Sequence, residues 1–238
     1  MCSSLRLLVD NSVRHHAVAL KGEWKDTGDV LWGGKIPIET GYIKSSERGV
    51  KVRESHGGDQ TRYIASIANS KDELELTFHT TDALSFERFD KPLAQQFGAK
   101  LGDVSLLANV DLEKHITLPE LKFATPSQNP LEELRHEISK QNDPIFNEIW
   151  SALRCVKKSD KSSQDAWHLA CAIKLKMNYF LSSDSKLYGQ ICSINDYLLR
   201  KKLVQIFMRP FELCERLRIE PLSDKEFEVF SSTLPRVL

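Results

Sequence analysis

Asp10, Glu87, Asp165 and Asp184 are the residues of this chain whose types and positions invite chemistry. Three of them stand where an apolar run ends or a helical run begins. Asp10 closes Leu5-Arg6-Leu7-Leu8-Val9, Asp165 opens Asp165-Ala166-Trp167-His168-Leu169-Ala170-Cys171-Ala172, and Asp184 follows Tyr179-Phe180-Leu181-Ser182-Ser183. In an open parallel α/β sheet all three fall at the carboxyl edge, where such folds build their sites. Carboxylates crowded there repel one another unless a divalent cation joins them, and hard ions such as Mg²⁺ and Mn²⁺ take oxygen ligands of this kind. One or two such ions activate water and offset charge on phosphate oxygens. Metal-assisted hydrolysis at phosphate is therefore the chemistry this set suggests.

The elements that must position these acids read as strands alternating with helices, which implies a doubly wound α/β domain. Leu5–Val9 is short and continuously apolar, as a strand covered on both faces would be. A helix is predicted over 11–20, another from about 60, a strand over 74–78, and a helix capped by Thr80 or Thr81 that carries Ala83, Leu84, Phe86 and Glu87. Helices are predicted over 131–139, 144–156, 164–177, 186–192 and 210–216, with strands at 179–182 and 203–207. Two stretches break the alternation. Glycines punctuate residues 21–59, read as a loop-rich insertion with one β-hairpin, and prolines and glycines punctuate 90–129, a second insertion with no sustained period.

At 238 residues the chain can bury one good core, and a single domain over 1–238 is expected. Lysine plus arginine equals aspartate plus glutamate, 33 each, so no global positive field advertises nucleic acid and a local basic patch would be required. Lys157, Lys158, Lys161 and Lys186, with Arg200, Lys201 and Lys202, are the candidates for phosphate contacts, although such runs are usually solvated surface. Five cysteines without a Cys-x-x-Cys pair fit free thiols in a reducing compartment. No signal peptide and no run near the ~20 apolar residues of a bilayer span is evident. A cytoplasmic protein without a membrane partner is expected.

The runs around Asp165 and Asp184, with Leu7-Leu8-Val9-Asp10-Asn11-Ser12-Val13 at the start, resemble the PIN-domain family of metal-dependent nucleases. That resemblance implies a three-layer α/β/α sandwich with a mostly parallel central sheet, enlarged here by the two insertions. It also implies four acids in the order Asp, Glu, Asp, Asp. They fall on Asp10, Glu87, Asp165 and Asp184 as metal-binding and catalytic residues, with Ser12 and Ser182 as supporting hydrogen-bond donors. Glu87 is the acid placed by the surrounding elements alone. Asn11 stands where the family often has a small hydroxyl residue, and Ser182 where it often has Thr. The implied activity is Mg²⁺- or Mn²⁺-dependent endonucleolytic cleavage of RNA, with DNA as the alternative substrate. The family also offers a toxin held by an antitoxin protein, a homodimer, or a PIN-fold module that binds RNA or protein without cutting.

Ordinary readings stand beside these. Asp10 and Asp184 are good helix N-caps, and Ser162-Ser163-Gln164-Asp165 matches a capping box. Glu87 fits a solvated helix residue near Lys91, and His168 a helix histidine with a local hydrogen bond. A haloacid-dehalogenase-like phosphatase would need a second Asp where Ser12 stands, and no Gly-x-x-x-x-Gly-Lys phosphate loop occurs.

Overall fold

The computed structural model describes residues 4–32, 35–47, 60–87, 104–119, 130–159 and 161–235. The chain enters through strand β1 (Leu5–Val9), helix α1 (Asn11–His16) and the long antiparallel pair β2 (Val18–Trp32) and β3 (Ile36–Glu47). Helix α2 (Gln60–Asn69), β4 (Leu76–Thr81), α3 (Asp82–Phe86), β5 (Val104–Ser105) and β6 (Leu112–His115) follow. The second half holds α4 (Pro130–Ser139), α5 (Pro144–Val156), α6 (Ser162–Lys174), β7 (Tyr179–Leu181), α7 (Ser185–Cys192), α8 (Tyr197–Ile206), β8 (Phe207–Met208), α9 (Pro210–Leu217) and α10 (Asp224–Ser232).

Five of these strands form a parallel sheet in the order β6-β4-β1-β7-β8. The protein is thus an α/β protein with helices packed on its central sheet. β1 lies in the middle because its residues are apolar on both faces. Leu8 packs into a core built by α3 to α8, whereas Leu7 and Val9 pack into a second core with α1, α2 and α9. Two cores divided by one sheet are compatible with a three-layer arrangement. The chain leaves β1 for β4 on one side and later reaches β7 on the other. The carboxyl end of β1 is therefore a switch point, the place where open α/β sheets leave a crevice.

Local chemistry explains the helices that flank this edge. Asp143 caps α5 by accepting from the Phe146 amide at 2.9 Å, Pro144 suits the first turn, and Phe146, Ile149 and Leu153 bury one stripe. Lys174, at the end of α6, reaches the second oxygen of Asp143 at 2.6 Å and ties the two helices together. α6 is buried nearly all round, since small residues such as Ala166, Ala170 and Ala172 let neighbours approach.

Several elements depart from the sequence expectations, each for a physical reason. The helix expected over 11–20 stops at His16, and Val18 starts a 15-residue strand. A β-branched residue favours that extended path. The region 21–59 is correspondingly less loop-like than expected, with β2 and β3 paired from Leu20↔Glu47 to Trp32↔Ile36; residues 48–59 lie outside the described ones. β4 begins at Leu76 rather than 74 because Glu75 takes a left-handed φ of 50°. The strand expected over 203–207 is helical. Asp196 caps α8 through the Leu199 amide, and Leu199 and Leu203 are buried at helical spacing, so only Phe207 and Met208 pair with β7. Within 90–129, β6 is no insertion but the edge strand of the central sheet; 90–103 and 120–129 lie outside the described residues. The tail forms α10, with Ser223 and Glu226 in a capping box. No helix among the described residues is long and apolar enough to cross a membrane.

Leu8 is fully buried where β1 meets α6. Leu8→Ala is expected to lower unfolding stability by about 2–5 kcal/mol in urea titrations, the range for a buried leucine that leaves a cavity. A loss under 1 kcal/mol would mean that β1 is not the centre of the core.

Candidate active site

Each candidate acid is held by the element that carries it. Asp10 is the N-cap of α1: Oδ1 accepts from the Asn11 amide at 2.8 Å, and Oδ2 accepts from the hydroxyls of Ser12 and Ser182 at 2.5 and 2.7 Å. Asp184 is the N-cap of α7. Its Oδ1 accepts from the amides of Lys186 and Leu187 at 2.9 and 3.0 Å, while Oδ2 faces Lys161. The capping role expected of both residues is present, and it aims their carboxylates across the same edge.

Asp165 departs from the capping-box expectation. α6 begins at Ser162 with Lys161 in the N-cap position and no side-chain cap, so Asp165 lies in the first turn rather than closing the helix start. Its amide bonds the Lys161 carbonyl, which returns the lysine side chain to the carboxylate: Lys161 Nζ is 3.7 Å from Asp165 Oδ1 and 3.6 Å from Asp184 Oδ2. Glu87 sits at the C-cap of α3, just past the helix expected to carry it. Its carboxylate is 15% exposed, accepts from Asn11 Nδ2 at 3.1 Å and lies 2.9 Å from His168 Nε2.

These contacts run from one acid to the next. Asp10 connects through Ser182 to Asp184, because the Asp184 amide donates to the Ser182 hydroxyl at 3.2 Å. Asp184 connects through Lys161 to Asp165, and one turn further along α6 His168 reaches Glu87. Asn11 returns from Glu87 to Asp10. Four acids from four segments are thus neighbours in one network. Lys161 is the side chain that pairs with two of the carboxylates, Ser182 joins the Asp10 carboxylate to the Asp184 amide, and Asn11 meets Glu87 with its side chain and Asp10 with its own amide. Ser12 adds a clasp between β1 and the loop after β7, accepting from the Ser183 amide at 2.9 Å.

The electrostatics follow. Burial works against ionised Glu87, but the charge and hydrogen bond of His168, with Asn11 and Lys161, hold the carboxyl below its ordinary value. Burial also disfavours the His168 cation, yet Glu87 chiefly, then Asp10 and Asp165, hold the imidazole above its ordinary value. Above the range where free glutamate titrates and below the raised pKa of the imidazole, the pair is therefore an ion pair. Asp165 behaves differently. Burial pushes it up to about 6, Lys161 and His168 only partly oppose this, and Glu87 and Asp184 add repulsion. Lys161 loses some preference for its charge to burial, but Asp165, Asp184, Glu87 and Asp10 together raise it.

A hard divalent ion suits this donor set, which consists of carboxylate oxygens with hydroxyls behind them. Buried polar atoms without protein partners adjoin the acids: Asn11 Oδ1, His168 Nδ1 and Ser183 Oγ. Such groups call for water or a ligand. Among the described residues, no three of the four acids bring ligand atoms within 4.8 Å of one another. As the side chains stand, an ion at this edge would take at most two of the four carboxylates directly and fill its other positions with water.

Of the basic residues expected to bind phosphate, Lys161 lies among the acids. Lys157, Lys158 and Lys186 are exposed, Lys186 on the first turn after Asp184. Arg200 donates to the Ile194 carbonyl from α8, where Lys201 and Lys202 are exposed. Sequence reading missed three roles: Lys161 as the counter-ion, His168 as the partner of Glu87, and Asn11 as the bridge. The Lys161/Asp165 spacing of four was the only visible signal. It also missed Asp82, whose buried carboxylate accepts from the amides of Thr117 and Leu118 and anchors the chain after β6. No family model, curated protein or solved structure matches this chain.

The raised Asp165 gives a signed pH dependence. A carboxyl whose folded pKa exceeds its unfolded value contributes stability that is present below about 4 and lost as pH rises through about 6. In EDTA, Asp165→Asn is therefore expected to gain on the wild type as pH rises, by up to about 3 kcal/mol at neutral pH. Chemical denaturation at several pH values checks this, and a difference independent of pH would contradict it.

Proposed function

We propose that this protein is a divalent-metal-dependent nuclease that hydrolyses phosphodiester bonds in RNA, with a PIN-like three-layer domain and a four-acid edge. The observation that carries the reading is the gathering of Asp10, Asp184, Asp165 and Glu87 at one edge, where Ser182 holds Asp10, Lys161 pairs with both Asp184 and Asp165, and His168 and Asn11 hold Glu87. The resemblance of the segments around these acids to the PIN family supports it, as does the switch point at the end of β1.

When bound, Mg²⁺ or Mn²⁺ would supply an activated water and charge neutralisation at the phosphate. Asp10 and Asp184 would hold the ion. Asp184 commits Oδ1 to backbone amides and leaves Oδ2 to Lys161, which an ion would displace, while Ser12 and Ser182 fix the rotamer of Asp10. His168 and Asn11 keep Glu87 ionised and oriented, and Asp165 orients the attacking water. Lys161, relieved of its role as counter-ion, would turn to a substrate phosphate.

One feature favours a second reading. The Lys161 ammonium already sits within 4 Å of Asp165 and Asp184. A permanent internal cation would suit a domain that binds RNA or protein without cutting. Cleavage separates the two. With Mn²⁺ the wild type is expected to cut single-stranded RNA, EDTA to abolish cutting, and Asp10→Asn to lower the rate about 10²-fold or more, some 3 kcal/mol of barrier. Equal cleavage by both proteins would rule out the nuclease mechanism, and no cleavage by either would leave the scaffold. Mn²⁺ at a hundredfold excess over its dissociation constant should also stabilise the wild type by about 2.7 kcal/mol. Thermal melts with and without the ion measure that gain, and an unchanged melting temperature would count against any metal site at this edge.

A further inference from the structure

We propose that His79, His115 and Glu113 form a second metal site, specific for a zinc-class transition-metal ion, which fastens the edge strand β6 to β4. The three side chains come from adjacent parallel strands in a register that pairs His79 with Glu113 and Thr81 with His115. Glu113 and His115 are two residues apart in β6, so they share a face of the sheet, and His79 presents its ring to that same face. Among the described residues this is the one group of three His, Cys, Asp or Glu side chains whose ligand atoms lie within 4.8 Å of one another.

The separations carry the inference. His79 Nδ1 is 3.0 Å from His115 Nε2 and 3.3 Å from Glu113 Oε2, and His115 Nε2 is 3.8 Å from Glu113 Oε1. Ligand atoms bound about 2.0–2.1 Å from a tetrahedral Zn²⁺ stand about 3.3–3.4 Å apart. The His79–Glu113 edge has that value and the imidazole edge is a little shorter; Glu113 turns its other oxygen to His115, and one ligand atom from each residue lies within 4.8 Å of the others. A hydrogen bond between the two imidazoles accounts for the shortest edge but does not by itself bring the carboxylate against both rings.

The surroundings are those of a ligand set. His79 is 2% exposed, and the Thr77 hydroxyl lies 3.0 Å from its Nε2. That hydroxyl can donate to the Leu5 carbonyl, 3.5 Å away, and accept from Nε2–H, which leaves the Nδ1 lone pair facing the cluster. A hydrogen bond that fixes the tautomer of a ligating imidazole is the usual support of a metal-bound histidine. Glu113 is 65% exposed, which gives an ion access and leaves room for water at a fourth position. Two imidazoles and one carboxylate favour Zn²⁺, Co²⁺ or Ni²⁺ over Mg²⁺, so the site differs in hardness from the four-acid edge.

An ion here would act structurally. β6 has four residues at the edge of the sheet, and of its two side chains in the cluster Glu113 is exposed and His115 half-buried. A bond through the metal adds a covalent-strength link to the ladder between β4 and β6, just ahead of the Thr117 and Leu118 amides that Asp82 holds.

Co²⁺ titration of metal-free full-length protein tests the site, because tetrahedral Co²⁺ with nitrogen ligands gives intense visible absorption. The wild type is expected to develop those bands at one equivalent and to lose them when Zn²⁺ is added. His115→Ala should abolish them, and Glu113→Gln, an exposed change that leaves folding intact, should weaken binding about tenfold or more. Asp184→Asn should leave them unchanged, which makes failure here distinguishable from failure of the nuclease reading. No bands in the wild type, bands insensitive to both β6 variants, or bands lost only in Asp184→Asn would each overturn the proposal.

Discussion

Repulsion among four converging carboxylates is the constraint around which this structure is organised. Like charges in one neighbourhood raise each other's cost of ionisation, as Glu87 and Asp184 do for Asp165, so the acids call for opposite charge or hydrogen bonds. The chain meets that demand unevenly. Glu87 has His168 and Asn11, Asp10 has two hydroxyls and an amide, and Asp184 has two amides. Asp165 has the charge of His168 and an exposed Lys161 that it shares with Asp184, and is the acid whose pKa rises to about 6. Asp165 and Asp184 share one exposed lysine between them, and theirs is the charge least well met.

The rest of the fold serves that convergence. β1 ends at Asp10 between two parallel neighbours, and each neighbour leads into another acid: β7 into Asp184, and β4 through α3 into Glu87. α6 crosses the same edge with its first turn, so Asp165 and His168 lie on one face of the helix and reach Asp184 and Glu87 through Lys161 and their own contacts. Caps do double duty here. The hydrogen bonds that start α1 and α7 also hold two carboxylates in fixed rotamers at the same edge.

Much of this was legible in the sequence where local chemistry decides. The apolar run before Asp10, the Asp143-Pro144 start of α5 and the helical spacing after Asp165 each specify their element. Legibility fails where partners are remote. Nothing near Glu87 announces His168, 81 residues away, and nothing in Leu112-Glu113-Lys114-His115 says that the strand joins β4. The misread strand over 203–207 shows a short apolar run whose burial at Leu199 and Leu203 follows a helical period. Asp165 was ambiguous for another reason: Ser162-x-x-Asp165 satisfies a capping pattern, yet the helix starts early enough to free the carboxylate for Lys161.

The central claim is that the acid edge is a divalent-cation site whose place is kept by the Lys161 ammonium. Mn²⁺ affinity of Lys161→Met, measured by calorimetry beside the wild type at neutral pH, tests it directly. Removing a competing cation should tighten Mn²⁺ binding about tenfold or more, since each 1.4 kcal/mol of lost competition is a factor of ten. Weaker binding in the variant, or none in either protein, would contradict the account.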